Sequence, residues 1–237
     1  MKNKKIYNII ILFYVLMLVL VLLKCYTKEK NIIKVFTPIT GRKVVIDAGH
    51  GKPDEGAIGY LGTTEQKINL EISQKLQNIV EQTGGVAVIT RSTEEGIYSS
   101  ESKSIKSKKI SDIKNRVKII NGNTDILVSI HLNKFSDSRY SGWQVFYKNN
   151  SEDSKKLAYN IQNSLNKNIS EDNERVPKAI QDVYIIKKSN IPAVVVECGF
   201  LSNPEETQKL KEDEYQNKIA WGIYFGIQDY FRVEKDE

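Results

Sequence analysis

Three short apolar runs constrain this chain most: "VVI" at 44–46, "ILVSI" at 126–130 and "AVVV" at 193–196. Their apolar residues are consecutive, not alternating with polar ones, which is the pattern of a strand buried on both faces. Such a strand needs helices above and below it, and stripes with helical spacing lie between the runs. Ile68, Ile72, Leu76 and Ile79 form one, with Thr63 read as N-cap, Gln66 completing a capping box and Gly84 as the stop. Ile110, Ile113, Val117 and Ile120 precede Gly122, and Leu157, Ile161 and Leu165 follow Ser151. Asn203 and Pro204 open the C-terminal helices, which carry Tyr215, Ile219, Ile223 and Ile227 on one face. Further strand-like runs stand at 86–90, 143–147 and 183–186. The alternation predicts one α/β domain with a largely parallel sheet.

The N-terminus follows another rule. Lys2, Lys4 and Lys5 precede an unbroken apolar run at 9–23, followed by "KCYTKEK" instead of the small residues of a cleavage site. With Ile6 and Tyr7 the segment approaches the lower limit for spanning a bilayer. It is read as an uncleaved signal-anchor at 1–24, with cleavage and secretion as the runner-up. A linker at 25–41 follows, and Pro38 and Gly41 mark the start of the body at 42–237. Lys24 and Leu23 also stand where a lipoprotein site at Cys25 would need small residues. Cys25 and Cys198 make no disulfide framework. Cys198 reads as a small buried hydrophobe.

The leader also explains the charge. The formal net charge is +6, but residues 1–41 hold seven lysines and one acid, leaving 28 basic and 28 acidic residues in 42–237. A neutral body lacks the footprint of a phosphate-backbone binder, which excludes nucleic acid as a partner.

The chain has two histidines, and both follow buried strands. His50 sits in "DAGHGKPDEG" after 44–46, and His131 directly follows 126–130. Glu197 directly follows 193–196. Open α/β sheets place their ligands at the carboxyl ends of the strands, so three strands deliver metal-binding or proton-handling groups to one edge. Catalytic zinc takes three protein ligands and leaves a position for water. Glu65, in the first turn of the helix after the His50 loop, is the best third candidate, although acids also stabilise helix N-termini. Glu71 is a poorer one, a turn or more deeper. Asp47 and Asp54 flank His50 and are candidates to fix its ring, with capping of the glycine turn the favoured role for Asp54. A phosphate loop fails on detail: "GHGKPDEG" has neither the G-K-[ST] ending nor the G-x-G-x-x-G spacing.

Four ordered blocks, "DAGHGKPDEGAIG", "TTEQKINL", "VSIHLN" and "VECGFLSNPEE", resemble the signatures of zinc-dependent N-acetylmuramoyl-L-alanine amidases. "TR" at 90–91 and "NRVKIIN" at 115–121 extend the likeness over 42–232. The resemblance implies a six-stranded α/β fold and hydrolysis of the amide between N-acetylmuramic acid and L-alanine of the stem peptide. It implies Zn²⁺ held by His50, Glu65 and His131, with Glu197 catalytic. Residues 51–53 depart from the pattern, since relatives often carry a second glycine there. A short domain behind a hydrophobic leader is most similar to CwlD-type germination amidases of spore-forming bacteria, which implies spore cortex peptidoglycan as substrate. The alternatives are a zinc carboxypeptidase, with Arg91 or Arg116 as its carboxylate binder, and a non-catalytic wall-binding module. The interval 131–197 holds one amphipathic helix and no long blocking helix, so control is expected from the anchor or from an envelope protein that modulates activity.

Overall fold

The computed structural model describes residues 2–26, 37–170 and 172–236. It divides into two units, Met1–Val35 and Phe36–Glu237. In the first, helix α1 (Lys2–Tyr26) is 25 residues long, and its side chains from Ile10 to Val21 are exposed. Among the described residues no helix is long and apolar enough to cross a membrane. Most of the expected linker, and the side chains at both ends of the leader's apolar run, lie outside what is described. Ile39, placed in that linker, is fully buried and belongs to the second unit.

That unit is built on six strands: β1 (Lys43–Ala48), β2 (Val86–Ile89), β3 (Ile126–Asn133), β4 (Gln144–Lys148), β5 (Lys178–Ile180) and β6 (Ala193–Phe200). Their order is β2-β1-β3-β6-β4-β5. The first four run parallel, while β4 runs antiparallel to β6 and carries β5 parallel to itself. The three apolar runs of the sequence are the central neighbours β1, β3 and β6, buried on both faces as their composition requires.

On one face, Ile68, Ile72 and Leu76 of α2 (Glu65–Gln82) pack with α4 (Glu152–Ile169) and α7 (Asp213–Asp236). Leu157, Ile161 and Leu165 of α4 are fully buried there, as are Ile223 and Ile227 of α7. The short α6 (Pro204–Leu210) has Asn203 as N-cap and Pro204 at its start, as expected. The other face is smaller: Val45, Leu127 and Val195 meet Ile120 of α3 (Ile105–Ile120) and Ile185 and Ile186 of α5 (Tyr184–Lys188).

Three local expectations are corrected. The run at 183–186 is no strand: Val183 is the N-cap of α5 and 184–186 lie within it, and the edge strand lies earlier, at β5. An edge strand would point Ile185 and Ile186 to opposite faces, whereas one helical turn buries both. The N-cap of α2 is Thr64, not Thr63, and no hydroxyl caps it. Its first donors go to loop carbonyls: Glu65 N–H to Ala57 O at 2.8 Å and Gln66 N–H to Glu55 O at 3.1 Å. Ile110 of α3 is 45% exposed, because the buried face of that helix is given largely to Arg116.

Candidate metal centre and catalytic site

The order β1-β3-β6 brings three strand ends together. His131 pairs in register with Glu197 on the neighbouring strand, and His50 lies two residues beyond Ala48, the partner of Ile130. His50 takes a left-handed backbone, φ 61°, which few non-glycine residues adopt. Two buried arginines hold it there. Arg91 donates from Nε to Ala48 O (2.9 Å) and His50 O (2.7 Å), and from Nη2 to Gly49 O (2.9 Å). Arg116 donates from Nη1 to Ala48 O at 2.6 Å and from Nη2 to His50 O. The guanidinium charges are balanced below, where Asp47 Oδ1 and Asp112 Oδ2 each accept from Arg116 at 2.7 Å. Burial alone would raise the Asp47 carboxyl, but Arg116 and Ser129 bring it down to about 2.

Glu65 reaches the same edge from α2. The loop carbonyls that cap the helix start also aim this side chain, and Glu65 Oε2 accepts from Ala57 N–H at 2.8 Å. Oε1 accepts from Leu132 N–H (3.1 Å) and lies 3.2 Å from His50 Nε2 and 3.0 Å from His131 Nδ1. Asn69, four residues along α2, also touches Oε1 and donates to Gly49 O. The candidate ligand atoms of His50, Glu65 and His131 lie within 4.8 Å of one another.

This convergence needs glycines. A Cβ on Gly49 would stand 2.4 Å from the His131 ring, and one on Gly56 2.6 Å from Glu65 Oε2. Gly49 and Gly56 are thus explained by close approach of the ligands, while Gly51, at φ 144°, packs on the backbone of Gly96.

Asp54 Oδ2 lies 3.1 Å from His50 Nδ1, while its Oδ1 meets Lys109 Nζ at 2.7 Å. Asp54 therefore orients the imidazole, beyond the turn-capping role favoured from sequence. Asp47 does not touch His50: its oxygens are taken by Arg116, Thr90 and Ser129. Glu71 points elsewhere, accepting from Gln216 of α7 at 2.7 Å.

The electrostatics fit a cation site. Burial pulls the His50 imidazole down, but the carboxylates of Asp54 and Glu65 outweigh it and hold it near 9. Burial pushes Glu65 up, and hydrogen bonds with His131 and His50 reverse this, keeping it ionised well below the usual range. Ring nitrogens of His50 and His131 converge on one carboxylate oxygen, where a divalent cation would satisfy all three groups. Two imidazoles and a carboxylate are a known donor set of catalytic zinc. Glu197 is different. Its Oε2 is buried with no hydrogen-bond partner, and burial raises its carboxyl to about 7, with His131 opposing and Glu65 adding. It lies beside the cluster with a free oxygen, suited to proton transfer near neutral pH.

A cavity of about 230 Å³ opens here, lined by His50 and His131 together with Tyr98, Lys108, Val183 and Ile185. The last four were not singled out from sequence, because a residue on the wall of a cavity carries no local signal. Arg91 and Arg116, each 3% exposed, are committed to backbone and Asp47. Neither is free for the substrate carboxylate that the carboxypeptidase alternative requires.

Known proteins resemble this chain over most of its length. The profile of the N-acetylmuramoyl-L-alanine amidase family matches residues 44–229. The chain is 34% identical over 200 residues to the germination-specific N-acetylmuramoyl-L-alanine amidase of Bacillus subtilis (strain 168), covering 84% of each. Among solved structures it is similar to the CwlD amidase from Clostridioides difficile, in complex with the GerS lipoprotein. The TM-score is 0.80 with 42% identity, over 81% of this chain and all of that one. An N-acetylmuramoyl-L-alanine amidase from Clostridium difficile 630 superposes with TM-score 0.71 and 30% identity, over 81% of this chain and 98% of that one.

Proposed function

Because the chain belongs to the N-acetylmuramoyl-L-alanine amidase family, we propose that His50, Glu65 and His131 hold a zinc ion and that Glu197 carries the proton transfers of its reaction. The chain is a peptidoglycan amidase that hydrolyses the bond between N-acetylmuramic acid and L-alanine, outside the cytoplasm. The observation that carries the residue assignment is the three-ligand cluster with the unpartnered Glu197 Oε2 beside it.

Zinc held there acidifies water and polarises a carbonyl oxygen. The protein does the rest. Asp54 keeps the His50 ring in place from Nδ1, which leaves Nε2, on the Glu65 side, to face the metal. Glu197 accepts a proton from the attacking water as the carbon–oxygen bond forms. It returns that proton to the L-alanine nitrogen as the carbon–nitrogen bond breaks, so a neutral amine departs.

The finer reading is a role in spore germination, with cortex peptidoglycan as the substrate, supported by the likeness to the B. subtilis enzyme. The 1–24 leader is assigned as an uncleaved anchor, supported by its lysine-flanked apolar run. An envelope protein is assigned as modulator, supported by the complex in which the C. difficile relative was solved.

The test is product analysis on purified peptidoglycan. Free stem peptides and intact glycan are expected, with turnover lost on zinc removal and restored by its return. Shortened stem peptides would indicate a carboxypeptidase. Full turnover with no zinc by elemental analysis would overturn the metal assignment.

A further inference from the structure

The catalytic cavity has a wall that this chemistry leaves unused. Two lysines from the first turns of α3 line it, Lys108 and Lys109. The ammonium of Lys109 is neutralised by Asp54 Oδ1 at 2.7 Å. Lys108 differs: its Nζ lies 4.6 Å from the centroid of the Tyr98 ring. An aromatic face orients an ammonium without cancelling its charge, and among the described residues Lys108 forms no ion pair with a carboxylate.

The position is also rigid. Ser104 caps α3, accepting from Ser107 N–H at 3.1 Å, and Ser107 Oγ accepts in turn from Ser104 N–H at 3.0 Å. The first turn that carries Lys108 is thereby fixed, and the helix end adds its own positive potential. Val183 and Ile185 add apolar surface to the same cavity, and low-dielectric surroundings strengthen a charge pair.

We infer that Lys108 binds a carboxylate of the stem peptide, the one carried by the residue after L-alanine. This rests on the amidase reading. The scissile nitrogen belongs to L-alanine, so that carboxylate lies about 7 Å further on, two residues of extended chain. Both histidines and Lys108 line this one cavity of about 230 Å³. The sugar side of the substrate offers neutral hydroxyls, which do not require a cation.

The test uses the full-length, zinc-loaded chain and two synthetic disaccharide muropeptides. They differ only in whether the second stem residue bears a carboxylate or a carboxamide. Wild type is expected to prefer the carboxylate by roughly 10- to 100-fold in kcat/KM, the range of a charge-assisted hydrogen bond. Lys108→Met should bring the two substrates together by losing activity on the carboxylate form alone, and Lys108→Arg should restore part of the preference. Cleavage of both forms at equal rates by wild type, or a preference that survives in Lys108→Met, would overturn the inference and leave the amidase intact. No cleavage of either form, by wild type or variant, would count against the amidase reading itself.

Discussion

Glu65 and Glu197 are both buried acids at the same sheet edge, and their surroundings drive them apart. Glu65 touches two imidazoles and two backbone N–H groups and stays ionised. Glu197 has a buried oxygen with no partner and a carboxyl raised to about 7. Glu197→Gln should therefore retain zinc and lose about 10²- to 10⁴-fold in kcat, the usual contribution of general acid–base catalysis. A variant that loses its metal yet keeps turnover per bound zinc would show the roles to be reversed. His50 sets a pH dependence. In the metal-free chain its pKa stands near 9 against an ordinary 6.5, so its contribution to stability is complete below about 6.5 and is lost as pH rises through 9. Zinc must displace that proton, so zinc affinity should rise over the same interval. Chelator competition across pH 6.5 to 9 measures this, and a flat profile would remove His50 from the ligand set.

Among the elements, α2 and α3 shape the site while α4 and α7 carry the load. α2 begins where its first two N–H groups meet the carbonyls of the 55–57 loop, so the helix and the His50 loop order one another. α3 gives its buried face to Arg116, and the cost of that charge is offset by Asp47 and Asp112. α4 packs directly on α7 at a small-residue contact. A Cβ on Gly226 would stand 2.4 Å from Ile161 Cα, and one on Gly222 2.7 Å from Leu165 Cδ2. Gly226 meets backbone, which cannot turn aside, so Gly226→Ala should force the helices apart. Overpacking of this kind costs about 1–3 kcal/mol, readable as a lower urea midpoint. Zinc affinity should stay unchanged, since the contact lies on the helical layer and not at the strand ends. An unaltered midpoint would show that the helices separate without strain.

For the molecule as a whole, a neutral body follows a lysine-flanked apolar leader in the sequence, so charge does not draw the body to its polymer. The anchor reading makes a direct prediction: protein recovered from the envelope should begin at or next to Met1. An N-terminus near Thr27 would establish cleavage and a secreted enzyme. Control by a partner belongs to this scale too. Zinc-loaded residues 36–237, the packed unit, should change in activity when an envelope extract from the same cell type is added. Equal activity with no co-purifying protein would leave the domain self-sufficient.

The fold class was legible in the sequence alone, as was the gathering of His50, Glu65, His131 and Glu197 as candidates at one sheet edge. Consecutive apolar positions mark doubly buried strands, helical spacing marks the covering layers, and rare imidazoles placed after such strands mark the edge where ligands gather. These are local signals, readable within a dozen residues. Which strands are neighbours, and hence that His131 pairs in register with Glu197, came from the folded chain. Folding also separated two acids that were both candidates to fix the His50 ring: Asp54 holds it, while Asp47 anchors Arg116. Residues 184–186 became part of a helical turn because both isoleucines could then be buried against one layer. Arg91 and Arg116 became scaffolding for the His50 loop, and Lys108 came to line a cavity shared with both histidines. The reason is common to all of these. A charged or branched side chain takes its partner from whatever packing brings within a few ångströms, and residues tens of positions away in the chain supply that partner.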